Sequence, residues 1–582
     1  MPPGAYNNDI IMNRNIHALG RFMPFVAARL PFLPMPADVP PADNNDIPPL
    51  EGKDVLYVYG VGTGHYYDVV KSWLHEDCRR FLVFLEHDTA VLRYFVDTAK
   101  GTELLADKQV CIYYFHGDND IDAVVQYLAW KFVFLNIAVR ASQYYQNRDT
   151  FDLLRDKIFH YHVNTTTFAR DYAYQGVTHH KILFKNIFQL GNAFLGNGLK
   201  GALKNVPALI CGGGPSLWEN LSLVKTLEDK AVIFAGGAAI NIFGKEGVRS
   251  HFCAGIDPNE CERDLIMYQQ AFETPFFYRN RLHHQALKLI HAPRLFFQGL
   301  TNYPITQWIE QQLGIEDSVL PGGSSVSMLN THIAHLMGCS PIIFVGVDLA
   351  FVDNKKYPCA VVPRAIDEIN KALFPGINTL WEEKIPAKDI YGDDVVTARK
   401  WKGESLWLSE FVQSHPECSF INATEGGIGI PGVPNQSLSS IANTLVTSSY
   451  DVHNRIHCEL QKLQKIRDVK KDCYSMLARL KESFQRCAVI GNTILDEIEA
   501  LSYCGDDSVA MASRYSLLTL EYNEEFAFRY ILDDILTIMD YTIDREFIGN
   551  DNALGKDAMR YNYFINAVEN YSNALDEVID EL

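Results

Sequence analysis

The chain has 582 residues, 47% of them hydrophobic, and a formal net charge of −19. That length suggests three or four domains and ample core. The acidic balance, with no basic stripe, excludes a nucleic-acid binder and argues against docking on anionic lipid. A compact phosphate site stays open, because backbone amides bind phosphate without net positive charge.

The N-terminus lacks a basic stretch followed by an apolar core, so no signal peptide is expected. The apolar stretch Phe22–Pro36 carries Arg29 and three internal prolines, Pro24, Pro31 and Pro34, so it does not read as a spanning helix. It is expected as a strand-and-turn segment on a domain surface. Residues 37–53, rich in Pro, Asp and Asn, read as a loop.

Asp54–Tyr59 reads as a buried strand that meets the turn Gly60-Val61-Gly62-Thr63-Gly64. A helix through Tyr67, Val70 and Trp73 follows, then strands at Phe81–Leu85 and Val110–Phe115. Glu86 lies 26 positions beyond Gly60, against about 20 in the dinucleotide fingerprint. This turn reads more readily as structural than as a nucleotide or S-adenosylmethionine site. Alternating strands and helices give a Rossmann-like N-terminal α/β domain over residues 1–150. Residues 151–205 are expected as a helical connector.

A second α/β domain spans residues 206–445. Its first strand, Pro207–Cys211, runs into Gly212-Gly213-Gly214-Pro215-Ser216. Glycines let a ligand approach the backbone, Pro215 suits the first turn of a helix, and Ser216 can cap it. The helix N-terminus then offers free amides to a phosphate. Gly322-Gly323-Ser324-Ser325 repeats the design. Asp257 and Asp348 each close an expected strand, where a carboxylate could meet a ligand or act as a base. Arg263, Arg279 and Arg281 lie nearby and could pair with an anion. Residues 446–582 read as a helical domain: proline is absent and apolar residues recur at helical spacing.

Twelve cysteines form no C-x-x-C pair, so a zinc ribbon is not expected and a reducing, cytoplasmic setting is the simpler reading. The pairs His179-His180 and His283-His284 are not spaced as ligands on one helix face. No metal site and no bound cofactor are expected.

The ordered set Ile210–Leu217, Asp257-Pro258, Gly322-Gly323-Ser324 and Gly346-Val347-Asp348-Leu349-Ala350 resembles the motility accessory factor (Maf) family of flagellin glycosyltransferases. Ile390-Tyr391-Gly392-Asp393, Phe420–Gly427 and Ile430-Pro431-Gly432 fit the same pattern. The resemblance implies a central domain similar to bacterial sialyltransferases and a CMP-activated nonulosonic acid (pseudaminic or legionaminic acid) as donor substrate. It implies flagellin Ser or Thr hydroxyls as acceptors, modified in the cytoplasm, with no membrane insertion. Carried over by position, Gly212, Gly213, Gly214, Pro215 and Ser216 hold the nucleotide. Gly322, Gly323, Ser324 and Ser325 line the donor pocket, with Asp348 at its floor. The chain departs from the sialyltransferases in having Gly213 where they carry Asn, and in having no histidine between Asp348 and His415. The base is therefore one of Asp257, Asp348, Asp393 and Glu425, unranked. Two alternatives remain: a pterin pyrophosphokinase and a non-catalytic flagellin-binding chaperone.

Overall fold

The computed structural model describes residues 3–36, 49–142, 148–267, 270–298, 303–315, 325–351, 383–504, 509–547 and 552–582. It divides into two compact units: Met1–Ala173 with Asp534–Asn562, and Tyr174–Asp533 with Tyr563–Leu582. The sequence leads one to expect boundaries at 150, 205 and 445. The compact units instead divide within the long helix Arg148–Ile187 and again among the C-terminal helices.

The first unit holds a parallel sheet of β1 (Val55–Tyr59), β2 (Phe81–Glu86), β3 (Val110–Tyr114) and β4 (Ile137–Ala141), in the order β3-β2-β1-β4. Every residue of β1 and β2 is buried. This explains their continuous apolar runs, since a parallel sheet is covered on both faces. The Phe22–Pro36 stretch corrects its expectation. It forms a helix, Pro24–Arg29, followed by a 3-10 turn, Leu30–Phe32. Pro24 occupies the first helical turn, where its missing N–H costs nothing.

The second unit carries an eight-stranded sheet. Its strands are β5 (Phe194–Leu195), β6 (Ala208–Cys211), β7 (Val232–Gly236), β8 (Phe252–Gly255), β9 (Phe276–Tyr278), β10 (Arg294–Phe296), β11 (Ile342–Val345) and β14 (Phe420–Asn422). They lie in the order β14-β11-β6-β7-β8-β9-β10-β5, every pair parallel. An antiparallel hairpin, β12 (Lys384–Lys388) with β13 (Asp394–Ala398), stands apart from this sheet. The chain moves from β6 toward β10 on one side, then returns to place β11 and β14 on the other. The strand order reverses between β6 and β11, where open α/β sheets place ligands beyond their carboxyl ends. The core beneath is aliphatic and aromatic, including Ile210, Phe234, Phe252, Phe277, Ile333 and Phe344.

The C-terminal part is helical, as expected: Lys470–Cys504, Val509–Glu524, Asp533–Glu546 and Ala553–Glu581. No helix among the described residues is long and apolar enough to cross a membrane.

Candidate functional site

At the reversal point the three glycines after β6 are packed by the chain itself. The amides of Gly212 and Gly214 donate to the carbonyls of Val345 (2.8 Å) and Gly346 (2.9 Å). A Cβ on Gly212 would lie 2.5 Å from the Gly346 carbonyl oxygen, and one on Gly213 2.5 Å from the Ala238 Cβ. On Gly214 it would lie 1.9 Å from Asp348 Oδ2. These glycines allow two turns to interlock, a demand that exists whether or not a ligand is bound.

The helix Pro215–Thr226 opens here, and its N-terminal anion position is occupied from within. The Ser216 amide donates to Asp348 Oδ1 (3.3 Å) and the Ser216 hydroxyl to Oδ2 (2.8 Å). Burial pushes the Asp348 carboxyl above its usual range, opposed by the Ser216 hydrogen bonds. Asp348 thus behaves as a latch between the turns after β6 and β11. Behind it, the loop after β14 closes on the same segment. The Val347 amide donates to Thr424 Oγ1 (3.0 Å), and the Ile428 amide to the Asp348 carbonyl (3.1 Å).

The neighbouring turn is different. Gly236 is packed, since its Cβ would lie 2.1 Å from Val326 Cγ1. Gly237, at φ +52°, has none of the described residues within 4 Å of its missing Cβ. It opens the helix Ala238–Glu246, and no side chain caps that N-terminus. An uncapped, uncrowded helix start is a natural anion seat.

The helix Val326–Leu336 stands beside this opening. Ser325 caps it, accepting from the Met328 amide (3.2 Å), and donates its hydroxyl proton to Glu404 Oε1 (2.5 Å). Burial raises the Glu404 carboxyl, opposed by Ser325 and Lys400. Asn330, one turn on, is 1% exposed, and neither side-chain amide atom has a hydrogen-bond partner among the described residues. Gly322, Gly323 and Ser324 lie outside the described residues.

Beyond β8, Asp257 Oδ1 accepts from the Asn259 amide (3.0 Å) and from Asn259 Nδ2 (2.5 Å). Among the described residues its Oδ2 takes no hydrogen bond. Glu262, in the helix Glu260–Met267, lies buried nearby; burial, then the charge of Asp257, pushes its carboxyl to about 8. The folded chain therefore holds a proton that the unfolded chain releases above the ordinary value of 4.5. Stability should fall as pH rises from about 4.5 to about 8 and level off above. Glu262→Gln is expected to remove that slope. Thermal denaturation should show the variant more stable than the parent near pH 9, by up to about 5 kcal/mol, and equal to it near pH 4.

The other two candidate carboxylates lie elsewhere. Asp393 sits exposed on the tip of the β12–β13 hairpin, in a turn closed by Asp389. Glu425 accepts from the Leu438 amide (3.3 Å) and so caps the helix Leu438–Thr444. Arg263 pairs with Asp264 (2.8 Å). Arg279 is buried beyond β9, and Arg281 lies 5.9 Å from the Tyr303 ring centre. Sequence reasoning missed Asn330, Glu404 and the openness at Gly237. The Gly236-Gly237 pair after an apolar run was a usable signal; Glu404, 79 positions from Ser325, offered none.

In the first unit the Gly60–Gly64 turn is held internally. Glu86, the acid that closes β2, accepts from the amides of Val61, His87 and Asp88, each at 2.9 Å. Among the described residues no group of three His, Cys, Asp or Glu side chains is placed to hold a metal.

Residues 181–354 match the family described as 6-hydroxymethylpterin diphosphokinase MptE-like. No curated protein matches the sequence. Among solved structures, the fold matches that of a Maf glycosyltransferase from Magnetospirillum magneticum AMB-1, at 13% identity and a TM-score of 0.54, over 99% of both chains. The mixed α/β architecture with a helical C-terminal part is therefore shared along the whole length, as the ordered motifs implied.

Proposed function

We propose that the protein is a glycosyltransferase that moves a nonulosonic acid, pseudaminic or legionaminic acid, from a CMP-activated donor to Ser or Thr hydroxyls of flagellin in the cytoplasm. The reading rests on the uncapped start of the Ala238 helix after β7, Ser325 at the start of the helix packed on Gly236, and Asp257 after β8, at the carboxyl edge of a sheet whose fold matches that of a Maf glycosyltransferase. The ordered motifs from Ile210 to Gly432 support it.

In this mechanism the donor phosphate lies at the uncapped start of the Ala238 helix, stabilised by its free amides. Asp257 takes the proton of the acceptor hydroxyl through its uncommitted oxygen. The hydroxyl oxygen attacks the anomeric carbon as the bond from that carbon to the phosphate oxygen breaks, and CMP leaves with the electron pair. Ser325, held by Glu404, fixes the donor's position.

The test is release of CMP from the activated sugar, with a matching mass gain on flagellin. Both are expected with the intact chain. Absence of CMP release, with CMP binding also absent in a calorimetric titration, overturns the reading. The family match over residues 181–354 favours a second reading, a pterin diphosphokinase. It requires ATP and Mg²⁺, and would be recognised by AMP release on a hydroxymethylpterin. Binding of flagellin without either nucleotide would point to a chaperone.

A further inference from the structure

A serine hydroxyl has one hydrogen and two lone pairs, and the fold has already committed most of those of Ser325. One lone pair takes the Met328 amide (3.2 Å), which caps the helix Val326–Leu336. The hydrogen goes to Glu404 Oε1 (2.5 Å). What remains for a ligand is a lone pair. With Glu404 ionised, this corner therefore offers an acceptor and a negative charge, and both repel a phosphate.

The corner nevertheless stands beside the place where the donor phosphate is proposed to lie. The helix Val326–Leu336 packs on Gly236, whose missing Cβ would lie 2.1 Å from Val326 Cγ1 and 3.3 Å from Asn330 Nδ2. Ser325 and Gly237 are the chain neighbours of Val326 and Gly236, and Gly237 opens the uncapped helix Ala238–Glu246. Gly236, Gly237, Ser325 and Glu404 each keep part of their surface open to solvent, so an anion reaches them without a buried cavity.

A proton on Glu404 reverses the corner. The carboxyl O–H then donates to Ser325 Oγ, the Met328 amide keeps its lone pair, and the Ser325 hydrogen is free to donate to an anion. Every position on Oγ is used and the negative charge is gone. The surroundings lean the same way: burial raises the Glu404 carboxyl above its ordinary value, opposed by the Ser325 hydrogen bond and the Lys400 charge. Lys400 lies one turn back on the helix Arg399–Ser414, which carries Glu404, and Ser325 faces Glu404 from the helix it caps. Among the described residues no other charged group acts on this carboxyl.

We infer that Glu404 is a positioning residue that takes up a proton from solvent as the donor phosphate binds, and so turns Ser325 from a hydrogen-bond acceptor into a donor. This rests on the donor reading above.

The experiment is calorimetric titration of the full chain with a CMP-activated nonulosonic acid near pH 7, in buffers of differing ionisation enthalpy. The dependence of the heat on the buffer gives the protons taken up. An ordinary carboxylate is ionised at that pH, and the probe's phosphodiester does not titrate there. The parent is expected to take up at least about half a proton per donor bound, and to lose about three- to tenfold in affinity for each pH unit above that point. Glu404→Gln has an amide that donates to Ser325 Oγ as the protonated acid does. It is expected to bind with no uptake and with an affinity that stays flat over the same range; thermal melting checks that it folds. A Glu404 that only supports the fold predicts neither result. Binding by the parent without uptake overturns the inference and leaves the donor reading standing, as does uptake that persists in Glu404→Gln. If Glu404→Gln does not fold, Glu262→Gln decides: uptake that survives there supports Glu404, and uptake that vanishes assigns the proton to Glu262 and overturns the inference. If the parent binds ATP with Mg²⁺ in place of the activated sugar, and takes up a proton that Glu404→Gln does not, the inference stands while the donor reading falls. Binding of neither probe by the parent overturns both.

Discussion

Gly427→Ala is expected to prevent stable folding of the second unit. The residue sits at φ +69°, and its missing Cβ would lie 1.9 Å from the carbonyl oxygen of Asp348 and 2.5 Å from the carbonyl carbon. Both neighbours are backbone, so no side chain can swing aside. The Ile428 amide holds the same carbonyl at 3.1 Å, which leaves the strand end little room to retreat. Strain from the left-handed conformation and overpacking together should cost about 3 kcal/mol or more. That is a large share of a typical domain's stability. Chemical denaturation should show a sharply lowered midpoint or an insoluble product. A variant with the parent's midpoint would mean that the loop after β14 does not clasp Asp348. The same logic bars Gly214→Val as a probe of ligand binding, because Asp348 already fills the space that the valine needs.

Asp257→Asn and Asp348→Asn are expected to part company in activity. Among the described residues Asp257 keeps one oxygen uncommitted, so replacing it should lower kcat by roughly 10²–10⁴-fold, the usual contribution of a general base. Asp348 has both oxygens on Ser216. An amide there can accept from the Ser216 amide and donate to its hydroxyl, so Asp348→Asn should keep turnover within about tenfold of the parent, the scale of one weakened hydrogen bond. Asp348→Ala leaves the Ser216 groups buried without an acceptor and should destabilise by about 1–3 kcal/mol. Steady-state CMP release by the folded variants checks the pair. Loss of turnover in Asp348→Asn with full turnover in Asp257→Asn would reverse the assignment.

Much of the architecture was legible because it is local. Continuous apolar runs such as Phe81–Leu85 and Pro341–Val345 are what strands buried on both faces require, and glycines at their ends mark the turns into helices. The Phe22–Pro36 stretch misled because a proline that ends one helix also starts another, and spacing alone does not tell the two apart. The site was only half legible. Gly212–Gly214 were rightly placed at a strand end, yet whether a glycine faces a ligand or another turn depends on what comes back from more than a hundred residues away.

By itself the sequence determined two α/β regions, a helical C-terminal part, the glycine turns and the carboxylates at strand ends, since each is written in short-range pattern. Only the tertiary structure decided which turn is closed and which is open. Asp348 returns to occupy the start of the Pro215 helix, while among the described residues none lies within 4 Å of the missing Cβ of Gly237. Only the structure set Glu404 against Ser325. The physical reason is that a parallel sheet brings strand ends together across long crossovers, so the chemistry at its edge is fixed by strand order, which no local pattern encodes.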